Sequence, residues 1–211
     1  MPPFQAVLFD FDGTLVDTMP IHYEAYRRTF AEIDIELTHD DFYDHIGGPG
    51  LEVIPRFLRG RTTSWSTEEI HRRKKHKLLE LLDEVTVPPL PTASLLRLLH
   101  GRVPMAVATS GTRVGVDKML ARLGWNDYFD AIVTAEDVKR GKPAPDVFHL
   151  AAEQLGVAIQ DCLIFEDTDD GVTAGRTAGG HVIDVRNLAA PTAKSSRLSA
   201  FSSSPTEEAA S

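Results

Sequence analysis

Two carboxylates, Asp10 and Asp12, stand just past a short apolar run, Ala6-Val7-Leu8-Phe9. That run has the length and composition of a buried strand. In an open α/β sheet, ligands bind beyond the carboxyl ends of the strands, so both carboxylates would share one polar crevice. Two such groups repel each other unless a cation lies between them. A hard, oxygen-only site of this kind suits Mg²⁺, which keeps several waters and binds few protein carboxylates. Three further apolar runs or loops carry polar groups suited to phosphate: Thr109-Ser110-Gly111, Lys142, and Glu166-Asp167. A hydroxyl and the amides of a tight turn can donate to phosphate oxygens. Each piece also has a plainer reading. Asp-Gly and Ser-Gly are turn formers, a lone loop lysine is ordinarily solvated surface, and acidic residues before a helix are often only caps, the reading given to Asp169 and Asp170.

The elements that would position these groups can be read from periodicity. Helical pieces are predicted over 19–32, 40–46, 51–58 and 66–82, the last with a capping-box start at Ser66-Thr67-Glu68-Glu69. No convincing strand falls in that stretch, which reads as a small all-helical cap inserted after the first strand. The cluster Pro88-Pro89-Leu90-Pro91 is the return linker. From Thr92 onward helix and strand alternate, the signature of a parallel sheet with crossover helices. Strands are predicted at 104–108, 131–133, 162–165 and 181–185, and helices at 92–100, 112–123, 145–155 and 171–178. The expected architecture is therefore a Rossmann-like parallel sheet flanked by helices, built from residues 1–18 and 90–188, with residues 19–89 as the cap. Residues 189–211, rich in Ala, Ser, Thr and Pro, are expected to be a disordered tail.

The chain has 211 residues, 42% hydrophobic and 25% charged, the composition of an ordinary globular protein. No apolar run approaches the roughly 20 residues of a membrane span. No secretory signal is visible, and the one cysteine, Cys162, sits in a strand-like run and reads as core, so a cytoplasmic protein is expected. A formal charge of −9 argues against a general nucleic-acid binder. It also means that a phosphate substrate must be met by local positive charge and metal.

Read whole, Asp10-Phe11-Asp12-Gly13-Thr14-Leu15-Val16-Asp17-Thr18 resembles the first motif of the haloacid dehalogenase-like hydrolases, a family of mostly phosphate-transferring enzymes. Thr109-Ser110-Gly111 resembles the second motif, Lys142-Pro143-Ala144-Pro145-Asp146 the third, and Phe165-Glu166-Asp167-Thr168-Asp169-Asp170-Gly171 the fourth. The resemblance implies that Asp10 is the nucleophile and forms an aspartyl phosphate, while Asp12 protonates the leaving oxygen as general acid/base. Thr109 and the Ser110 amide, with Gly111 in the same turn, would hold phosphoryl oxygens. Lys142 would be the fixed cation between nucleophile and phosphate. Mg²⁺ would be held by Asp10, the Asp12 main-chain carbonyl and Asp167, with Glu166 as a second carboxylate in or behind that shell.

Within the resemblance, the β-phosphoglucomutase-like subgroup places a histidine where His22 stands, and a cap lysine over the substrate phosphate. Alignment of the return linker points to Lys75, with Lys74 and Lys77 left open; the basic run 72–77 is otherwise a solvated face. Phosphomutases of the subgroup carry an arginine after a cap glycine to grip a second phosphate. Here Gly47-Gly48-Pro49-Gly50 has none, and bidentate phosphate binding needs that fork. The segment resembles bacterial fructose-1-phosphate phosphatase-like members, as do His100-Gly101-Arg102-Val103-Pro104-Met105-Ala106-Val107, Tyr128-Phe129-Asp130-Ala131 and Asp184-Val185-Arg186. The expectation is a Mg²⁺-dependent phosphatase of small sugar phosphates, monomeric or weakly dimeric, with no nucleic-acid or membrane partner. The alternatives are a sugar phosphomutase and, more remotely, a non-catalytic module binding a phosphorylated metabolite.

Overall fold

A strand buried on both faces reads as an unbroken apolar run, and among the described residues four of the five strands are of this kind: β1 (Ala6–Phe9), β2 (Met105–Ala108), β3 (Ala131–Val133) and β4 (Cys162–Glu166), the last apolar up to its final residue. The fifth, β5 (His181–Asp184), lies at an edge and is more exposed. The structure, a computed structural model, describes residues 4–46 and 50–188. The expected tail, 189–211, and Gly47, Gly48 and Pro49 of the cap segment fall outside the described residues. All strand pairs are parallel, in the order β3-β2-β1-β4-β5. The sheet reverses its direction of growth at β1, so the tip of β1 opens onto a switch-point crevice.

Alternate residues along each strand feed two separate cores. Ala6, Leu8, Ala106, Ala108, Cys162 and Ile164 pack on one face against helices α7 (Asp146–Gln154) and α8 (Asp169–Ala178). Val7, Phe9, Met105, Val107 and Phe165 pack on the other, against α5 (Ser94–Leu99) and α6 (Arg113–Leu123). The fold is the expected Rossmann-like parallel sheet flanked by helices. The last crossover helix starts two residues earlier than its apolar pattern suggests. Thr168 caps α8, its hydroxyl accepting from the Gly171 amide at 3.0 Å, which places Asp169 and Asp170 in the first turn instead of at the cap.

Four helices lie between β1 and β2: α1 (Met19–Ala31), α2 (His39–His45), α3 (Gly50–Leu58) and α4 (Thr67–Glu84). They enclose a third core around Tyr26, Phe30, Phe42, Ile54, Phe57 and Ile70. Ser66 starts α4 as expected, accepting from the Glu69 amide at 3.2 Å. The chain enters and leaves this insert side by side: the Asp17 amide donates to Pro88, and the Leu90 amide to Leu15. The last turn of α4 is fastened to the sheet side by α6. Arg122 donates to the carbonyls of Leu82 at 2.6 Å and Asp83 at 2.8 Å, and Lys118 to that of Leu79 at 3.2 Å. Among the described residues no helix is long and apolar enough to cross a membrane.

Candidate active site

The backbone delivers the nucleophile candidate to a buried position. Asp10 follows β1 directly, its amide donates to the Phe165 carbonyl of β4 at 2.9 Å, and its side chain is almost wholly enclosed. Lys142 reaches it from the loop before α7, and the ammonium donates to Asp10 Oδ1 and to Glu166 Oε1, both at 2.6 Å. Burial works against the charge on Lys142, yet the two carboxylates outweigh it and hold the ammonium above its usual range. One cation thus serves two carboxylates, and a third is close. Burial, then Glu166 and Asp167, drive the Asp10 carboxyl well above its ordinary value in spite of Lys142. Asp167 is pushed up to about 6 by burial and by Glu166, while Thr14, donating to Oδ1 at 3.1 Å, opposes the rise.

Gly13 makes the approach of Asp167 possible. Its φ of +86° suits glycine, and a methyl group there would lie 2.1 Å from Asp167 Oδ2. The turn of the first motif and the carboxylate of the fourth therefore press against each other at the strand tips. The donor set is hard oxygen throughout and short of positive charge, which fits a cation such as Mg²⁺. Among the described residues no cluster of three or more acidic, His or Cys side chains forms a metal cage. A site of two carboxylates, a main-chain carbonyl and waters does not require one.

Asp12 faces the other side of the crevice. A methyl on Gly111 would lie 3.3 Å from both Asp12 Oδ2 and Thr109 Oγ1, so carboxylate, hydroxyl and turn converge there. Thr109 is buried, its hydroxyl accepting from the Gly111 amide at 3.0 Å, whereas the Ser110 side chain is exposed. Asp12 Oδ1 and the Thr18 hydroxyl are both enclosed without a formed hydrogen bond among the described residues. Burial raises the Asp12 carboxyl; the nearby Thr18 hydroxyl, then Lys74 and Lys142, oppose that rise. A carboxyl whose burial favours the neutral form suits an acid that must give up a proton.

Two sequence expectations are narrowed. Glu166, expected in or behind the metal shell, stands behind it, with its carboxylate fully engaged. Oε1 accepts from the Lys142 ammonium, and Oε2 accepts from the amides of Asp167 and Thr168, each at 2.8 Å, and from the Thr168 hydroxyl at 3.0 Å. A methyl at Gly171 would fall 1.7 Å from Oε1, so the carboxylate lies flush against α8. Its place is behind Lys142, aiming it. In the helical insert, Lys75 is exposed and Lys77 pairs with Glu32, whereas Lys74 is the buried lysine that turns inward. Its ammonium lies 3.1 Å from His22 Nδ1 and over the Tyr26 ring, 4.8 Å from the centroid. Burial, and next Lys74, hold His22 well below its usual value, so the neutral ring accepts from the lysine. Burial lowers Lys74 to about 8. Ile70, Lys74 and Leu78 recur every fourth residue on the inner face of α4, and that spacing is the sequence signal that separates Lys74 from its neighbours. Thr14, Thr18 and Thr168, which carry no signal in the sequence beyond their type, serve the site by their hydroxyls: Thr14 on Asp167, Thr18 beside Asp12 and Thr168 on Glu166.

Asp10, Asp12, Thr109, Gly111, Lys142, Glu166 and Asp167 are thus gathered at one edge of a parallel sheet, with Lys74 and His22 reaching in from the insert. Residues 7–185 match the family described as haloacid dehalogenase-like hydrolase. The chain belongs to that family. It is 35% identical over 185 residues to fructose-1-phosphate phosphatase YqaB of Escherichia coli, covering 88% of this chain and 98% of the relative. It is also 35% identical over 179 residues to a phosphorylated carbohydrates phosphatase of Thermotoga maritima, covering 83% and 82%. Among solved structures, CbbY from Rhodobacter sphaeroides in complex with phosphate matches with a TM-score of 0.74 at 29% identity, covering 85% and 84%. A β-phosphoglucomutase from Clostridium difficile matches at 0.71 and 28%, covering 88% and 87%. As a member of this hydrolase family the chain is a phosphoric monoester hydrolase.

Proposed function

We propose that the protein is a Mg²⁺-dependent phosphatase of small sugar phosphates, fructose 1-phosphate or a close relative of it, working through an aspartyl phosphate on Asp10. The observation that carries this reading is the Lys142 bridge between Asp10 and Glu166, set beside Asp167 and within one crevice of Asp12. Asp10, the Asp12 carbonyl and Asp167 would hold the metal, which when bound neutralises charge on the carboxylates and the phosphoryl group. Lys142, aimed by Glu166, and the Thr109-Ser110-Gly111 turn would keep the phosphoryl oxygens against Asp10. Asp10 Oδ attacks phosphorus while Asp12, whose enclosed position favours the neutral carboxyl, gives a proton to the departing sugar oxygen. Asp12 then takes a proton from the water that cleaves the aspartyl phosphate. Residues 19–89 would act as a cap that closes over the crevice and excludes bulk water. Lys74 replaces Lys75 as the lysine that this cap brings to the site. The single buried cysteine fits a reducing, cytoplasmic setting.

A second reading, a sugar phosphomutase, draws support from the structural likeness to β-phosphoglucomutase. Against it stands the absence of an arginine from 47–50. Phosphate release from fructose 1-phosphate and β-glucose 1-phosphate in Mg²⁺, with and without a sugar bisphosphate primer, separates the two. Asp10→Asn is expected to reduce phosphate release by a factor of about 10³ or more while leaving the thermal midpoint within a few degrees. Retained turnover in that variant overturns the nucleophile assignment. Bisphosphate-dependent formation of glucose 6-phosphate without net phosphate release overturns hydrolysis.

A further inference from the structure

Lys74 is not the only imidazole or ammonium bearer on the inner face of α4. His71 lies one turn earlier, about 4.5 Å further along the helix axis and away from the end that α6 fastens. It packs against the first residue of α3: a methyl on Gly50 would lie 2.6 Å from His71 Nδ1 and 3.3 Å from the Tyr26 hydroxyl. The Tyr26 ring in turn carries Lys74 above it. His71, Tyr26 and Lys74 therefore form one contiguous cluster inside the helical insert, and its Lys74 end lies near enough to Asp12 for the two charges to act on each other.

We propose that His71 contacts substrate, reading the hydroxylated end of the molecule that lies away from the phosphate. This rests on the phosphatase reading above and adds a specificity residue to it. The His71 ring is half-buried, but Nδ1 is completely enclosed and has no hydrogen-bond partner among the described residues. An enclosed nitrogen without an acceptor gains nothing from a proton, so the neutral ring carries its proton on the opposite nitrogen, Nε2, at the accessible edge. Burial, then Lys74 and Lys75, favour the neutral form. The ring thus presents an uncharged donor one helical turn beyond an ammonium. Such a pair suits a molecule with one charged end and a hydroxyl a few atoms away. It does not suit a second phosphate, which calls for a fixed cation with several donors. A site that donates to a substrate hydroxyl discriminates strongly against an analogue that lacks it.

The test compares His71→Ala and His71→Gln with the full-length parent on two probes, fructose 1-phosphate and para-nitrophenyl phosphate, the second having no hydroxylated chain. In His71→Ala the KM for fructose 1-phosphate is expected to rise about tenfold with kcat largely held, as for a lost uniform-binding contact. Values of kcat/KM for the aryl phosphate should stay within about twofold of the parent. His71→Gln, which restores a donor, recovers part of the loss and carries the comparison if the alanine variant folds poorly by thermal unfolding. Equal losses on both probes, or an unchanged KM for fructose 1-phosphate, overturn the proposal. A parent enzyme that cleaves neither probe instead overturns the phosphatase reading itself.

Discussion

His22 illustrates how a site residue leaves a mark on the stability of the whole chain. It stays neutral in the folded protein because it is enclosed and faces Lys74, and its value lies well below the 6.5 of a free imidazole. Above pH 6.5 neither state binds a proton at this residue, and nothing is lost. Below 6.5 the unfolded chain takes up a proton that the folded chain refuses, so stability falls as pH falls, by up to about 1.4 kcal/mol per unit from this one group. Urea unfolding of His22→Gln against the parent between pH 7 and pH 5 is expected to show a shallower decline in the variant. Lys142, nine residues past β3, was marked only by its likeness to the third family motif, whereas Asp10, Asp12, Thr109 and Asp167 could be gathered from sequence because each lies within a few residues of a strand end that periodicity marks. The place of Glu166 could not, since it depends on the bare Cα of Gly171 and on two amides that turn toward it only once Thr168 caps α8. His71 left no motif, and its interest lies in a neighbour, Gly50, that sequence does not bring near it.

The helices carry a different kind of information. All four in the insert were marked by apolar spacing and by the Ser66 cap to within two residues, and the strand runs were marked by unbroken apolarity. The rotation of α4 about its own axis was harder, since the basic run 72–77 offers an ammonium or guanidinium on nearly every side, and only the Ile70-Lys74-Leu78 row picks out the inner one. The joint between α4 and α6 was not legible, because it pairs side chains with main-chain carbonyls forty residues away. Arg122 supplies donors to the last, otherwise unpaired carbonyls of α4, where a cation is also favoured by the helix dipole. Arg122→Ala is expected to lower unfolding stability by about 1–2 kcal/mol, with Arg122→Lys losing less, measured by urea denaturation. Because Arg122 touches neither Asp10 nor Asp12, turnover of an aryl phosphate should be unchanged at temperatures where both proteins are folded.

At the scale of the molecule, the order of strands is what sequence patterning leaves open. Alternation of helix and strand announces a parallel sheet, but every strand tip looks alike until the pairing shows β1 at the centre, Val7 opposite Met105 on one side and Leu163 on the other. The same pairing fixes how the molecule comes into being. Its central strand is synthesised before the other strands of the sheet, yet its two partners follow roughly a hundred and a hundred and fifty residues later, so both closures span long loops and such topologies fold slowly. Until Cys162–Glu166 is made, one side of β1 is a bare row of amides and carbonyls on an entirely apolar strand, the kind of edge that recruits other chains. A chain stopped at Gln160 is expected to sediment as aggregate under conditions where the full chain stays dispersed, and centrifugation with light scattering checks this. The residue that begins the chemistry therefore waits on distant sequence: Asp10 meets Lys142 and Asp167 in one crevice only after the chain has been made through β4.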